Sequence, residues 1–173
     1  FSFAHATHPL RTVGRNTLGT PRMVLSASSV NFTLDDLAEI VSIARAAGVK
    51  TYLTVNTIIY DDELAEVEQL VWELYRIGID ALIVQDMALL TMNLPPIALH
   101  ASTQTDNRTP EKVKWLYEAG FTQVVLAREL SLDQIAAIHK ACPVPLEAFV
   151  HGALCVSYSG QCYASQACFG RSA

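Results

Sequence analysis

Long apolar runs, an excess of basic charge and the common nucleotide-binding and hydrolase motifs are all missing from this sequence. Each absence closes a class of function. No apolar run reaches the roughly 20 residues of a membrane span, and the N-terminus lacks the charged-then-apolar layout of a secretory leader. A reducing cytoplasm is the expected setting. With 12 Lys and Arg against 17 Asp and Glu, the net charge of −5 argues against passive clamping onto a polyanion. A nucleic-acid substrate would need a local patch or an appended domain. No Gly-x-Gly-x-x-Gly follows a strand, and no phosphate-binding P-loop or His-Glu-x-x-His is present. Ser157-Tyr-Ser-Gly160 lacks the first glycine of a nucleophile elbow. Cysteine is absent until Cys142; then Cys142, Cys155, Cys162 and Cys168 crowd the last third, unlike the spread of a disulfide framework.

What is present is a repeat. At 173 residues with 51% hydrophobic content, the chain can bury a real core as one domain or a large part of one. From Asn31 onward it alternates a capped helix, a glycine stop and a short apolar strand. Thr33 and Asp36 have capping-box spacing before a helix over 34–47 that Gly48 ends. A second helix follows Asp61, with Leu64, Val67, Val71 and Leu74 on one face and Gly78 as its stop. A short helical stretch is expected near Met87 to Met92. Thr109-Pro110 opens the next helix, and Ser131 with Gln134 caps another that ends near Cys142-Pro143. Strands are expected at 51–56, 81–85, 97–100, 123–127 and 146–150. Such nearly continuous apolar strands, separated by helices, indicate a parallel sheet covered on both faces. The fold class is α/β, a partial (β/α) barrel of the TIM type over 31–173, since eight units take about 250 residues. A doubly wound open sheet is the alternative. Barrel strands without all their neighbours leave an unpaired edge, so self-association of this fragment is expected. Residues 1–30 do not follow the repeat and read as an atypical lead-in, with Arg11, Arg15 and Arg22 and no acid before Met23. A basic arm on RNA is the sharper reading of that segment, and Met23 to Ala27 reads as a residual strand.

In parallel α/β folds, chemistry gathers where strands end. The candidates are Asn56, Gln85, Asp86, Gln104, Arg128, Glu129 and His151, together with His100 and the stretch Ser102 to Asp106. Asn56, Gln85 and Gln104 can read hydrogen-bond patterns, and Arg128 can hold a carboxylate or phosphate in a bidentate pair. Polar residues also mark strand ends simply because these reach solvent, and Arg128 could merely pair with Glu129 or Asp86. His100 lies inside an apolar run and reads as a core histidine. Glu147, within a strand, needs a partner and reads as a structural group that holds the following loop by backbone hydrogen bonds. Cys142 reads as a small core residue, and Cys168 has no spacing partner. Cys155 and Cys162, flanked by glycines just after a strand, are either soft-metal or cluster ligands or a structural pair of thiols. A cysteine nucleophile, Cys155 with His151 or His100, would further need an oxyanion hole.

The stretch Glu147-x-Phe-x-x-Gly-Ala-Leu-Cys155-x-x-x-x-Gly160-x-Cys162-x-x-Ser165 closely resembles the motif of peptidase family U32, the collagenase-like proteins, departing only at Ala164, where a larger aliphatic residue is usual. Leu-Thr-Val-Asn-Thr-Ile-Ile-Tyr60, Ala-Leu-Ile-Val-Gln-Asp86, Leu-His-Ala-Ser-Thr-Gln104 and Val-Val-Leu-Ala-Arg-Glu-Leu130 resemble the same family, whereas residues 1–29 do not resemble its first strands. The family name implies a peptidase acting on collagen-like protein, metal-dependent or not. Other members hydroxylate without molecular oxygen, at C5 of pyrimidines in tRNA or 23S rRNA with prephenate as co-substrate, or on the ubiquinone ring. The resemblance implies a 4Fe-4S cluster on four cysteines, of which Cys155 and Cys162 match the first two. The other two would follow an Asn-Arg-Gly stretch after Arg171-Ser-Ala173. The expectation is thus an RNA pyrimidine hydroxylase, with a collagenase-like peptidase and a truncated scaffold chain as alternatives.

Overall fold

The computed structural model describes residues 11–15, 21–26, 33–151 and 155–169. One sheet runs through them in the order β1-β2-β3-β4-β5-β6-β7. Its strands are β1 (Arg11–Arg15), β2 (Pro21–Ser26), β3 (Lys50–Val55), β4 (Ala81–Val84), β5 (Ala98–Ala101), β6 (Gln123–Val125) and β7 (Leu146–Glu147). β1 pairs antiparallel with β2, and every later neighbour pair is parallel. The helices are α1 (Leu34–Ala46), α2 (Leu64–Ile77), α3 (Pro110–Glu118), α4 (Leu132–Ala141) and α5 (Ala164–Phe169). The five expected strands are present and parallel. The expected lead-in carries strand structure as well: β2 takes in most of the residual strand, with β1 folded back beside it. Residues 1–10, 16–20 and 27–32, on which the rest of the lead-in reading falls, lie outside the described residues.

Local chemistry explains the helices. Thr33 accepts from the Asp36 amide while Asp36 accepts from the Thr33 amide, and Ser131 with Gln134 repeats the box at α4. Thr109 caps α3 with Pro110 in its first turn. Gly48, Gly78 and Gly120 all take positive φ just past a helix, a conformation that costs other residues. The stretch after β4 forms one 3-10 turn, Met87–Leu90, capped by Asp86.

The helices α1 to α4 pack on one face of the sheet, and this separates a barrel wall from a doubly wound sheet. Leu37, Val41, Val71, Leu74, Val113, Leu116 and Ile138 from these helices share one core with Leu53, Leu82, Val84, Val124 and Leu126. The parallel register places a different set on the opposite face: Tyr52, Ala81 and Ala98 in one row, then Thr54, Ile83, His100 and Gln123 in the next. Strand residues are thus covered by helices on one side and face a second, more polar interior on the other. His100 is a buried residue of that interior, its ring edge-on to Tyr52 at 4.7 Å between centroids, as expected of a core histidine. Cys142 is buried in the helix-side core, again as expected.

β7 is shorter than the sequence suggests. It sits at the sheet edge, and its pairing with β6 stops at Val125 and Glu147. Phe149 and His151 are exposed, and Val150 is 95% exposed. Apolar character alone cannot extend a strand where the ladder has ended. In the protein that carries this chain, Leu116→Ala should lower stability by about 2–5 kcal/mol in urea unfolding, because Leu116 is fully buried between α3 and the sheet. Leu132→Ala, at a position 85% exposed, should stay within about 0.5 kcal/mol.

Candidate functional site at the strand ends

The exits of β3 to β7 bring the polar candidates to one end of the sheet, since all these strands run the same way. They do not converge on one point. Asp86 is used by the backbone: it accepts from the amides of Ile59 and Ala88, both at 2.9 Å, and so ties the loop after β3 to the turn after β4. Gln85 keeps its carbonyl oxygen buried with no hydrogen-bond partner among the described residues. Asn56 follows β3 in a half-buried position. His151 is exposed in the bend beyond β7.

Arg128, Glu129 and Cys155 do meet. With Val156, Ser157 and Tyr158 they line an open cleft of about 240 Å³. The loop bearing both cysteines is fastened there by one buried side chain, Ser159. Its amide donates to Glu129 Oε1 at 3.1 Å and its hydroxyl donates to Glu129 Oε2 at 2.9 Å. The same hydroxyl accepts from the Arg128 amide at 3.2 Å. Thr103 Oγ1 lies 3.2 Å from both Ser159 Oγ and Leu126 O, so its single proton serves either. The next residue, Gly160, has φ of 78°, and a Cβ there would come within 2.6 Å of the Gln104 carbonyl oxygen. Only glycine lets the loop settle against the turn after β5. Of Gln104, then, the backbone is what shapes this site.

Arg108 completes the anchorage. It pairs with Asp106, reaches Glu129 at 3.6 Å and sits over the Tyr158 ring at 5.3 Å. Asn107, fully buried, donates to the carbonyls of Ser102 and Val125 and so locks the β5 exit to β6. Glu129 is held below its ordinary value: burial pushes it up, but the Ser159 hydroxyl and amide, its own backbone amide and the Arg108 charge outweigh that. The alternative in which Arg128 merely pairs with Glu129 or Asp86 has no such ion pair behind it among the described residues. Arg128 Nη2 donates to the Ser157 carbonyl at 3.2 Å, and its Nε is buried without a partner among the described residues. Glu147 accepts from Gln123 Nε2 at 2.6 Å, a bond within the sheet. The carboxylate that holds the Ser159 amide of the cysteine loop belongs to Glu129.

Cys155 and Cys162 are free and half-buried, and both lie on the loop that Ser159 anchors. The Cys155 thiol lies below its ordinary value. Burial raises it, but the Ser157 amide, the Cys162 thiol, the Ser157 hydroxyl and the Arg128 charge together lower it further. Two free thiols on one anchored loop suit two of the ligands of a soft metal or iron–sulfur group. Among the described residues no group of three or more His, Cys, Asp or Glu could complete it. Cys168 is exposed on α5, and residues 152–154, including Gly152, lie outside the described residues. Sequence reasoning missed Ser159, Arg108 and Asn107. Ser159 had a signal in its place beside Gly160, but serine invited a test for nucleophilicity rather than for anchorage.

Two outcomes follow for the loop. Gly160→Ala should undock it at a cost above about 1 kcal/mol, since a left-handed non-glycine backbone adds to the steric clash. Because the folded Glu129 value is depressed, its anchorage is present in full above the ordinary glutamate value and is lost as pH falls through the folded one. Hydrogen exchange over 155–162, corrected for intrinsic rates, should therefore accelerate on acidification in the wild type. Glu129→Gln should show fast exchange already at neutral pH.

Most of the chain is similar to known proteins. The chain is 59% identical over 141 residues to the 23S rRNA 5-hydroxycytidine C2501 synthase of Escherichia coli (strain K12), covering 82% of this chain and 22% of that protein. It is 40% identical over 150 residues to a collagenase of Porphyromonas gingivalis, covering 80% and 36%, and 36% identical over 151 residues to tRNA hydroxylation protein P of Haemophilus influenzae, covering 85% and 33%. The chain thus spans between 22% and 36% of the length of these relatives. In fold it is similar to the U32 peptidase Mk0906, with a TM-score of 0.62 at 15% identity, covering 86% of this chain and 73% of that one. The profile of peptidase family U32 matches residues 17–173, reaching into the stretch whose sequence looked atypical, and the chain belongs to that family.

Proposed function

We propose that the protein carrying this chain is an oxygen-independent hydroxylase of RNA pyrimidines that depends on an iron–sulfur cluster. The observation that carries the reading is the placement of Cys155 beside Arg128 and Glu129 at the strand ends, on a loop that the Ser159–Glu129 anchor holds and that also bears Cys162. The 59% identity to a 23S rRNA 5-hydroxycytidine synthase and the likeness to a tRNA hydroxylation protein support the substrate class. Cys155 and Cys162 would hold one side of a 4Fe-4S group, the remaining cysteines coming from a longer chain. When bound, such a group supplies one-electron chemistry and a Lewis-acidic iron. The chain's own part is positional. Arg128, which lines the cleft beside Cys155, suits a carboxylate of a co-substrate such as prephenate or a phosphate of RNA. Glu129 keeps the loop that bears both cysteines seated. Free thiols fit a reducing cytoplasm, and no described helix is long and apolar enough to cross a membrane.

The collagenase relative favours a second reading, a peptidase acting on collagen-like protein. The two readings part on the cysteines. Full-length protein purified without air should contain iron and sulfide, show the brown absorbance of a cluster, and form 5-hydroxypyrimidine nucleosides detectable by mass spectrometry of treated RNA. Cys155→Ser and Cys162→Ser should each abolish the absorbance and the product, while Cys142→Ser and Cys168→Ser leave both. Iron-free protein that cleaves collagen and modifies no RNA would establish the peptidase instead. Expressed alone, the chain should self-associate through the open edge at β7, where Phe149 and Val150 are exposed. A single monomeric species in sedimentation at high dilution would refute that.

A further inference from the structure

We infer that Tyr158, backed by Arg108, is a stacking platform for one unpaired pyrimidine base at the cysteine cleft. The inference rests on the RNA-modifying reading above and names how that site would grip its substrate. Tyr158 is 63% exposed, yet it is not a loose surface residue. Its preceding neighbour, Ser157, is held through its carbonyl by Arg128, and its following neighbour, Ser159, is pinned twice by Glu129. Arg108 sits over the ring at 5.3 Å and is itself fixed by Asp106 and Glu129. The ring is therefore preorganised by its backbone on both sides and by a cation against it, while most of its surface stays open beside the cleft. A large aromatic kept rigid and exposed has forgone burial, and what recovers that burial is a flat partner.

The chemistry of the cleft selects the partner. Its volume of about 240 Å³ suits one ring rather than a folded segment. Arg128, on the same wall, brings a guanidinium whose N–H groups can donate to an acceptor such as a base carbonyl or a phosphate oxygen. A nucleobase in a single strand offers both a π-face for Tyr158 and acceptors for Arg128. Stacked there, it also borders Cys155, which lines the same cleft. Base flipping or a single-stranded target is thereby required, since a base within a duplex cannot present its face to a side chain.

The test uses the anaerobic full-length protein with two probes: a fluorescein-labelled single-stranded pyrimidine RNA read by anisotropy, and an unmodified rRNA transcript read by mass spectrometry. Tyr158→Leu and Tyr158→Ala should weaken RNA binding and raise the KM for RNA by about tenfold, with iron content and thermal unfolding unchanged. Tyr158→Phe and Tyr158→Trp, which keep a stacking face, should match the wild type. Tyr158→Leu binding RNA as the wild type does would overturn the inference, and so would Tyr158→Phe failing as badly as Tyr158→Ala. The hydroxylase reading fails separately: wild-type protein that binds RNA through Tyr158 but forms no hydroxylated base would leave the platform standing and remove the reaction. An equal loss of collagen-peptide binding in Tyr158→Leu, with RNA binding untouched, would overturn the platform in favour of a peptide contact.

Discussion

The two-point grip of Glu129 on Ser159 is the interaction on which the rest of the site depends. A carboxylate that accepts an amide and a hydroxyl from one residue fixes position and orientation together, as a single bond cannot. Everything of chemical interest in the loop lies within four residues of that point: Cys155, Ser157 and Tyr158 before it, Gly160 and Cys162 after it. Arg108 and Arg128 reach the loop from outside, and neither replaces the grip. Arg108 supports the carboxylate, and Arg128 steadies the chain one turn earlier.

The barrel wall sets where that grip can form. Parallel strands in consecutive order deliver all their exits to one end, and helices confined to one face leave the other free for a polar interior. That interior is unusual in its chemistry for a buried surface. His100 against Tyr52, Gln123 bonded to Glu147 and the buried hydroxyl of Thr54 occupy rows that a stability-driven core would fill with aliphatics. Polar groups inside a wall lose solvation and regain it only through chosen partners, so they are kept where a ligand or a defined geometry repays the loss.

Much of this architecture was legible in the residues, for a physical reason. Helix boundaries are local: Thr33 with Asp36, Ser131 with Gln134, and Gly48, Gly78 and Gly120 each announce a cap or a stop through chemistry confined to a few neighbours. Apolar runs between them had one use. Strand length was less legible, because the end of β7 is decided by whether a neighbouring strand continues the ladder and not by Ala148, Phe149 or Val150 themselves. The site was legible by type and opaque by partner. Arg128, Glu129, Cys155 and Cys162 carry chemistry that their side chains declare, whereas Asp86 turned out to serve the backbone of Ile59 and Ala88. Glu129 and Glu147 are equivalent in sequence terms, and only the fold shows that Glu129 is the one that holds Ser159. Ser159, Arg108 and Asn107 act through bonds 18 to 56 residues away in the chain, or across a turn, and no spacing rule reports such pairs.

The brevity of β7 has a consequence for how the cysteine loop is carried. A loop is ordinarily aimed by the strand it leaves, as a lever is aimed by its fulcrum. Here the strand contributes two paired residues and then lapses, and the loop takes its bearing from the exits of β5 and β6, to which it is latched from the far side. The segment from Ala148 to His151 is therefore a tether whose length matters little, while the latch has almost no tolerance. The cysteines therefore owe their placement to that latch more than to the strand from which their loop departs.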